Sequence, residues 1–393
     1  MKKILLGVTG GIAAYKAVEL CSILKKSNID LQVVMTKSAQ EFVTPLTFQA
    51  VSGNPVLTEL WDKNSNNGID HINLSRAADL IVIAPTTANF IAKLNYGLAD
   101  DLLSSICLGR NCPLLICPSM NKEMYMNAST QRNIKQLKDD GVHVIGPEFG
   151  MQACGETGPG RMTEPENIFQ EIERILLPPS LKNINILISA GATLEKIDDA
   201  RAITNLSSGK MGIAIANQAW KLGANVTLIK AATNVVPYAK IKTINAFSHE
   251  DMQNAITEEI EKNSIFISVA AVSDYSPIPK IGKIKKNEKK LHLSLTRNID
   301  ILGTIKSNYP KVFCVGFAAE SENIAEYAKK KLIAKNIDLI IGNEINETMG
   351  QDEAEVIILS RTKETKFNRM PKNVLAYNIL QEIHKTYKEF HGN

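Results

Sequence analysis

Long apolar runs are missing from this 393-residue chain. No stretch approaches the roughly 18 apolar residues of a membrane span, which argues against a helical anchor. The opening MKKILLGVTGG has only a short apolar run that breaks at glycine, so a first buried strand is expected there, not a signal peptide. Charge of one sign is also scarce. Lys and Arg total 45 against 41 Asp and Glu, a net +4. That is too mild to imply nucleic acid or an anionic membrane as partner, and it leaves small anionic ligands open. Cysteine is sparse, with six residues and no C-x-x-C pair. This disfavours a zinc site and suits a reducing compartment, so a cytoplasmic location is expected. Cys107, Cys112 and Cys117 lie five apart, and two of them sit in apolar runs that read as core. A phosphate loop is missing as well. Ser208-Gly209-Lys210 invites one, but Thr204 stands where its first glycine belongs and Met211 replaces the Mg²⁺-binding Ser or Thr.

What remains is ordinary globular material, 44% hydrophobic and 22% charged, long enough for two cores. KKILLGV, DLQVVMT, DLIVIAP, PLLICPS and VHVIGP read as strands of a buried parallel sheet. AAYKAVELCSILKKS, STQRNIKQLKDDG and PENIFQEIERIL carry helical period between or after them. Such alternation predicts a doubly wound α/β domain over 1–177, with ligands at the C-terminal strand ends. Leu177-Pro178-Pro179-Ser180 breaks the pattern, and 178–183 is expected as a linker. A second Rossmann-like α/β domain is expected over 184–393. Its strands are NINILISAG, ANVTLIKA, SIFISVAA, VFCVGFA, IDLIIGN and AEVIILS. Its helices are GKMGIAIANQAWKLG, HEDMQNAITEEIEKN and SENIAEYAKKKLIAKN. PIPKIGKIKKNEKK (277–290) reads as a mobile basic loop.

Several strand ends carry polar groups. VTGGIAAYK places Gly10 and Gly11 in a strand–turn–helix that aims backbone N–H groups at an anion, although a tight turn needs no ligand. PTTAN offers Thr86, Thr87 and Asn89 after the third strand, where helix capping is the competing explanation. DHINLSRAAD supplies His71, which precedes a strand and is expected near the same rim; a lone histidine is more often structural. PSMNKEMYMN puts Asn121 at that rim. MQACGETGPGRM (151–162) holds Cys154 among glycines that argue against a regular helix or strand, and an idle surface thiol is the bland reading.

Together VTGGIAAYK, HINL, PTTANFIAKLNYGLADDLL, PSMNKEMY and ACGETGPGRM resemble the flavin-containing cysteine decarboxylases, which are flavodoxin-like. With the second half, the chain resembles the bifunctional phosphopantothenoylcysteine decarboxylase/phosphopantothenate–cysteine ligases of coenzyme A biosynthesis. The resemblance implies FMN held by Gly10, Gly11, Thr86, Thr87 and Asn89. It implies His71 as catalytic histidine and Asn121 as the contact to the substrate carboxylate. It implies Cys154, on a clamp over the substrate, as proton donor to an ene-thiolate; thiols titrate within reach of neutrality. Tyr125 stands where the family often has tryptophan, and adjusted packing is the expected consequence.

In the second half, ISAGATLEKIDDARAITNLSSGKMG resembles the ligase domain, with Gly191-Ala192-Thr193 departing slightly from the usual turn. The resemblance implies CTP-dependent activation of phosphopantothenate as an acyl-cytidylate, followed by attack of the cysteine amine. It assigns catalysis to Asn205 and Lys283. It assigns nucleotide binding to Ser207, Ser208, Gly209, Asp274, Lys283, Phe317, Lys331 and Lys335. Read without it, the basic run containing Lys283 is a solvated loop. Mg²⁺ is expected with the triphosphate, its protein ligands unspecified. The implied partners are small molecules only, within a homo-oligomer that the family builds as a dodecamer. A different flavin enzyme leaves the second domain unexplained. A non-catalytic relative would be expected to lose some of His71, Asn121, Cys154, Lys283 and Asn205, and all five are present.

Overall fold

The computed structural model describes residues 1–61, 70–285, 291–344 and 350–392, and the chain divides into two compact units, Met1–Leu177 and Pro178–Asn393. Part of the basic 277–290 stretch, residues 286–290, lies outside the described residues. Among the described residues no helix is long and apolar enough to cross a membrane.

The first unit is built on five parallel strands: β1 (Lys3–Val8), β2 (Asp30–Met35), β3 (Leu80–Thr86), β4 (Leu114–Pro118) and β5 (His143–Val144). Their order is β2-β1-β3-β4-β5, the flavodoxin-like arrangement, so the chain reverses direction across the sheet between β1 and β3. Every residue of β3 and β4 is buried, which is why these strands read as unbroken apolar runs. Helices α1 (Ala14–Lys26), α2 (Pro45–Ser52), α3 (Asp70–Ala77), α4 (Ala88–Tyr96) and α5 (Leu102–Leu108) cover it, with α6 (Lys122–Met126), α7 (Ala128–Asp139) and α8 (Pro165–Leu176). Leu20, Leu24, Ile168 and Ile172 of α1 and α8 share one core with Ile4, Leu6 and Val82.

His71 lies on α3, which precedes β3 as expected. One expectation needs correction in this unit. The glycine-rich stretch is partly regular: β6 (Glu148–Met151) and β7 (Thr157–Arg161) pair as an antiparallel hairpin around a turn at 152–156. Gly155 takes the turn with φ 85°, which leaves the flanking residues free to pair.

The second unit has an eight-stranded sheet. Six strands are parallel: β8 (Asn185–Ala190), β11 (Asn225–Lys230), β12 (Lys242–Asn245), β13 (Ile265–Ser268), β16 (Phe313–Glu320) and β17 (Leu339–Glu344). Antiparallel β18 (Glu353–Ser360) and β19 (Glu364–Pro371) extend one edge, giving β12-β11-β8-β13-β16-β17-β18-β19. The first six follow the Rossmann order, with the switch point between β8 and β13. Two small hairpins stand outside it: β9 (Leu194–Asp198) with β10 (Arg201–Thr204), and β14 (Tyr275–Pro277) with β15 (Leu295–Arg297).

Its helices are α9 (Lys210–Lys221), α10 (His249–Glu259), α11 (Ile301–Asn308), α12 (Ile324–Ala334) and α13 (Lys372–Phe390). The last, absent from the sequence-based expectation, buries Leu375, Ala376, Ile379, Leu380 and Ile383 against the sheet, one stripe at helical spacing. Within the expected linker 178–183, Leu181 is buried in this unit's core, and its N–H donates to Leu222 O at 2.9 Å.

Candidate functional site

In the first unit the C-terminal strand ends are tied together by hydroxyls. Thr9, just after β1, donates to Pro85 O at 2.8 Å and accepts from Thr87 N at 3.1 Å. Those bonds bridge the switch point, and the residues expected to hold a cofactor flank it. Gly10 lies against Ser38, and a Cβ there would overlap the Ser38 side chain and backbone. At Gly11 a Cβ would meet Thr87 Cγ2 at 3.8 Å, an ordinary contact. Thr87 caps α4, its Oγ1 accepting from Phe90 N at 3.3 Å, and Asn89 is exposed two residues on.

Thr86 turns the other way. Its buried hydroxyl donates to Ile83 O at 2.6 Å and accepts from Cys117 N at 3.0 Å, which spends the side chain on the irregular register between β3 and β4. Its carbonyl accepts from Ser119 N at 3.0 Å, so the backbone too is tied into the pairing of β3 with β4. His71 begins α3, whose far end leads through Ala78 and Asp79 into the start of β3. The His71 Nδ1 is buried and, among the described residues, unpartnered.

The structure brings Asn121 and Cys154 together although 33 residues separate them. Asn121 Nδ2 approaches Cys154 Sγ at 3.4 Å and donates to Glu156 Oε2 at 2.5 Å, while its Oδ1 caps α6 by accepting from Glu123 N at 2.8 Å. The thiol in turn donates towards Glu156 Oε2 at 3.6 Å. The Asn121 amide holds the Glu156 carboxyl below its ordinary value, with Lys122 and the thiol adding to the effect.

Gln152 completes this cluster, and sequence reasoning missed it because nothing in its local pattern marks a clamp. Its Oε1 accepts from Lys122 N at 3.1 Å and its Nε2 donates to Pro159 O at 3.2 Å. Gly160 explains the glycine run: its φ is 152°, and a Cβ would overlap Met120 O and Gln152 Nε2. Met120 N donates to Gly160 O at 3.0 Å, so β7 lies flat on the segment carrying Asn121.

In the second unit a cavity of about 350 Å³ opens at the switch point. Ser207, Ser208, Gly209, Asp274, Phe317, Lys331 and Lys335 all line it. Gly209 has φ 74° and admits no Cβ against Thr233, which lets the chain turn tightly into α9. Ser207 and Ser208 hydroxyls accept from the backbone N–H groups of Gly209 and Lys210 at 3.4 and 3.5 Å. The cationic side chains already have anionic partners. Lys335 donates to Asp300 Oδ1 at 2.8 Å, and Lys331 pairs with Glu320 at 2.6 Å.

Two lysines that sequence reasoning passed over also line the cavity. Lys210, set aside with the failed phosphate-loop pattern, donates to Gly350 O at 2.9 Å and to Asp352 Oδ1 at 2.7 Å. Lys372, at the start of α13, is buried and donates to Gln351 O at 2.5 Å. Burial first, and then the charge of Lys210, push its pKa down. No periodic signal could have found Lys372, because the β19–α13 junction brings it in.

Asn205 is at the rim, its Nδ2 donating to cavity-lining Ala271 O at 3.1 Å. Lys283 is not among the lining residues. Its segment is also not a free loop over the described part: Gly282 N and Ile284 N donate to Asp199 and Asp198 at 2.9 and 3.1 Å. Among the described residues no group of three His, Cys, Asp or Glu side chains is arranged to hold a metal ion.

Comparison with known proteins agrees across both units. Residues 1–177 match the family model described as Flavoprotein, and residues 181–387 match that of the DNA/pantothenate metabolism flavoprotein C-terminal domain. The coenzyme A biosynthesis bifunctional protein CoaBC of Haemophilus influenzae is 43% identical over 396 residues, covering 99% of this chain and 98% of that one. Its Escherichia coli K12 counterpart is 40% identical over 99% of this chain and 98% of its own. The Bacillus subtilis counterpart is 40% identical over 97% and 96%. With this likeness running through both units, the chain belongs to the family of bifunctional coenzyme A biosynthesis proteins.

Proposed function

We propose that the chain catalyses two consecutive steps of coenzyme A biosynthesis. In the ligase step, assigned to residues 184–393, CTP activates 4′-phosphopantothenate and cysteine is joined to it. In the decarboxylase step, assigned to 1–177, the product 4′-phosphopantothenoylcysteine becomes 4′-phosphopantetheine. The observation that carries this reading is the approach of Asn121 to Cys154 at 3.4 Å, an amide able to hold a carboxylate beside an exposed thiol able to give a proton.

The residues at the first switch point fit FMN. Gly11 lies beside Thr87 with ordinary clearance, Asn89 presents an exposed amide, and His71 Nδ1 is buried with no partner among the described residues. Gly10, Gly11, Thr87 and Asn89 would hold the group, with Thr86 fastening the strand ends beside them. When bound, FMN accepts the substrate's hydride and returns it after decarboxylation. Asn121 orients the substrate carboxylate. His71 handles a proton as general acid or base. Cys154 Sγ delivers a proton to the decarboxylated ene-thiolate, and the β6–β7 hairpin shields that step from water.

In the ligase step the phosphopantothenate carboxylate attacks the α-phosphorus of CTP and pyrophosphate leaves. The cysteine amine then displaces CMP from the acyl-cytidylate, and Asn205 serves that second displacement. The backbone N–H groups opening α9 suit phosphate oxygens. Lys283, Lys331 and Lys335 offset the charge that develops on them. Asp274 and Phe317 contact the nucleotide. Mg²⁺ arrives with the triphosphate, since this cation is commonly bound through substrate phosphates and few carboxylates. The same reading makes the enzyme a cytoplasmic homo-oligomer, a dodecamer on the family resemblance.

The test is a single incubation with phosphopantothenate, cysteine, CTP and Mg²⁺, following pyrophosphate, CO₂ and phosphopantetheine together. All three are expected in matching amounts, with pyrophosphate release lost when Mg²⁺ is chelated or CTP is replaced by ATP. A protein that binds no added FMN, or that forms no phosphopantetheine from supplied phosphopantothenoylcysteine, would overturn the first half. Absence of CTP-dependent pyrophosphate release would overturn the second.

A further inference from the structure

Lys283 stands between two fastened peptide groups. On one side Gly282 N donates to Asp199 Oδ2 at 2.9 Å; on the other Ile284 N donates to Asp198 Oδ2 at 3.1 Å. Arg201 closes the ring, its Nη2 lying 2.7 Å from Asp198 Oδ2 and donating to Ile284 O at 2.8 Å. Lys280 N adds a fourth tie, to Ile197 O at 3.0 Å. The β9–β10 hairpin thus grips 280–284 through backbone and buried charge. The Lys283 side chain itself is exposed, and its ammonium has no partner among the described residues.

Asp198 is the centre of this grip. It is buried and also accepts from Ala200 N at 2.8 Å. Burial opposes its ionisation, yet the Ala200 and Ile284 N–H groups and the Arg201 guanidinium outweigh that effect and hold its carboxyl at about 2. The carboxylate is therefore charged throughout the working pH range. β10 then runs directly into Asn205. One hairpin carries the segment of Lys283 on its turn and delivers Asn205 at its end.

We propose that Asp198 is a positioning residue for the ligase step, mounting Lys283 so that its ammonium meets the nucleotide's phosphates at a set distance from Asn205. This rests on the reading of Lys283 given above. A lysine on a free loop would lose rotational and translational freedom on each turnover. A bracketed lysine has given up most of that freedom on folding. Asp199 is the second bracket, weaker because it is exposed and makes one such bond.

The experiment compares D198N, D199N and K283Q in the full-length, FMN-loaded protein. It follows pyrophosphate release over a CTP titration, decarboxylation of supplied phosphopantothenoylcysteine, and amide exchange at residues 282 and 284. D198N is expected to lower kcat for pyrophosphate release on the order of tenfold or more, with the CTP KM changed much less. Exchange at both amides should quicken, and decarboxylation should stay normal. D199N should shift the same quantities in the same direction by less.

If K283Q keeps a normal rate, the reading of Lys283 is wrong and the mounting proposal goes with it. If K283Q is inactive while both aspartate variants keep normal kcat, the proposal alone is overturned. Should D198N fail to fold, D199N decides, because its exposed carboxylate is not part of the core. Faster exchange with lowered kcat supports the mounting, and unchanged kcat refutes it.

Discussion

Replacing Gly160 by alanine probes the hairpin more sharply than removing any functional group. The backbone there has φ 152°, and a Cβ would overlap Met120 O and Gln152 Nε2. Backbone strain of this kind and overpacking each cost on the order of 1–3 kcal/mol, so the variant carries about 2–6 kcal/mol of local strain. Against this stand two neutral hydrogen bonds that dock the hairpin, Met120 N to Gly160 O at 3.0 Å and Lys122 N to Gln152 Oε1 at 3.1 Å, and the charge-assisted bond from Asn121 Nδ2 to Glu156 Oε2. Together they contribute about 2.5–6 kcal/mol. The strain matches the whole of that docking, so the hairpin loosens from α6 while the five-stranded sheet beneath it stays folded. Separating Cys154 from Asn121 should then reduce phosphopantetheine formation on the order of a hundredfold. FMN absorbance and the thermal midpoint should change little. The assay is product formation from supplied phosphopantothenoylcysteine, with amide exchange at Met120 and Lys122 reporting hairpin release. Wild-type product formation in G160A, with those amides still protected, would refute the reasoning.

C154S should still bind FMN and release CO₂ but yield little phosphopantetheine; normal yield, measured by chromatography, would remove the thiol from proton delivery. T86V strips a fully buried hydroxyl that serves both Ile83 O and Cys117 N, so it should lower stability by about 1–3 kcal/mol in denaturant titration with FMN affinity nearly unchanged. The opposite outcome, weaker FMN binding at unchanged stability, would put the hydroxyl on the cofactor. Glu156 has a carboxyl held below its ordinary 4.5, chiefly by the Asn121 amide. A depressed folded-state value means its contribution is complete above 4.5 and is lost as pH falls through the lowered value. Exchange protection of the hairpin should therefore weaken on acidification in that window, and E156Q should flatten the dependence.

Part of this architecture was legible without coordinates because its signals are local. The buried parallel strands are short apolar runs, the helices around them repeat at 3.6 residues, and both patterns survive in any small window of sequence. Of the missed elements, α13 carries a regular stripe that was readable in the sequence, whereas others have a weak or mixed pattern. β7 is Thr-Gly-Pro-Gly-Arg, a strand by pairing and not by propensity. The 277–290 stretch looked free because it is basic and rich in glycine and proline, yet its backbone over 280–284 is held by a hairpin some 80 residues earlier.

The sequence by itself determined the α/β class, the residues most suited to chemistry, and the family resemblance, since all three depend on residue type and spacing along the chain. Only the tertiary structure decided which of those residues meet. It turned Thr86 inward to bind Cys117 N, set Asn121 against Cys154, brought Lys210 and Lys372 to the cavity, and bracketed Lys283 between Asp198 and Asp199. The reason is physical. A hydrogen bond depends on a few ångströms and an angle, and two groups distant in sequence reach that geometry only once strand order and turn shape have been set.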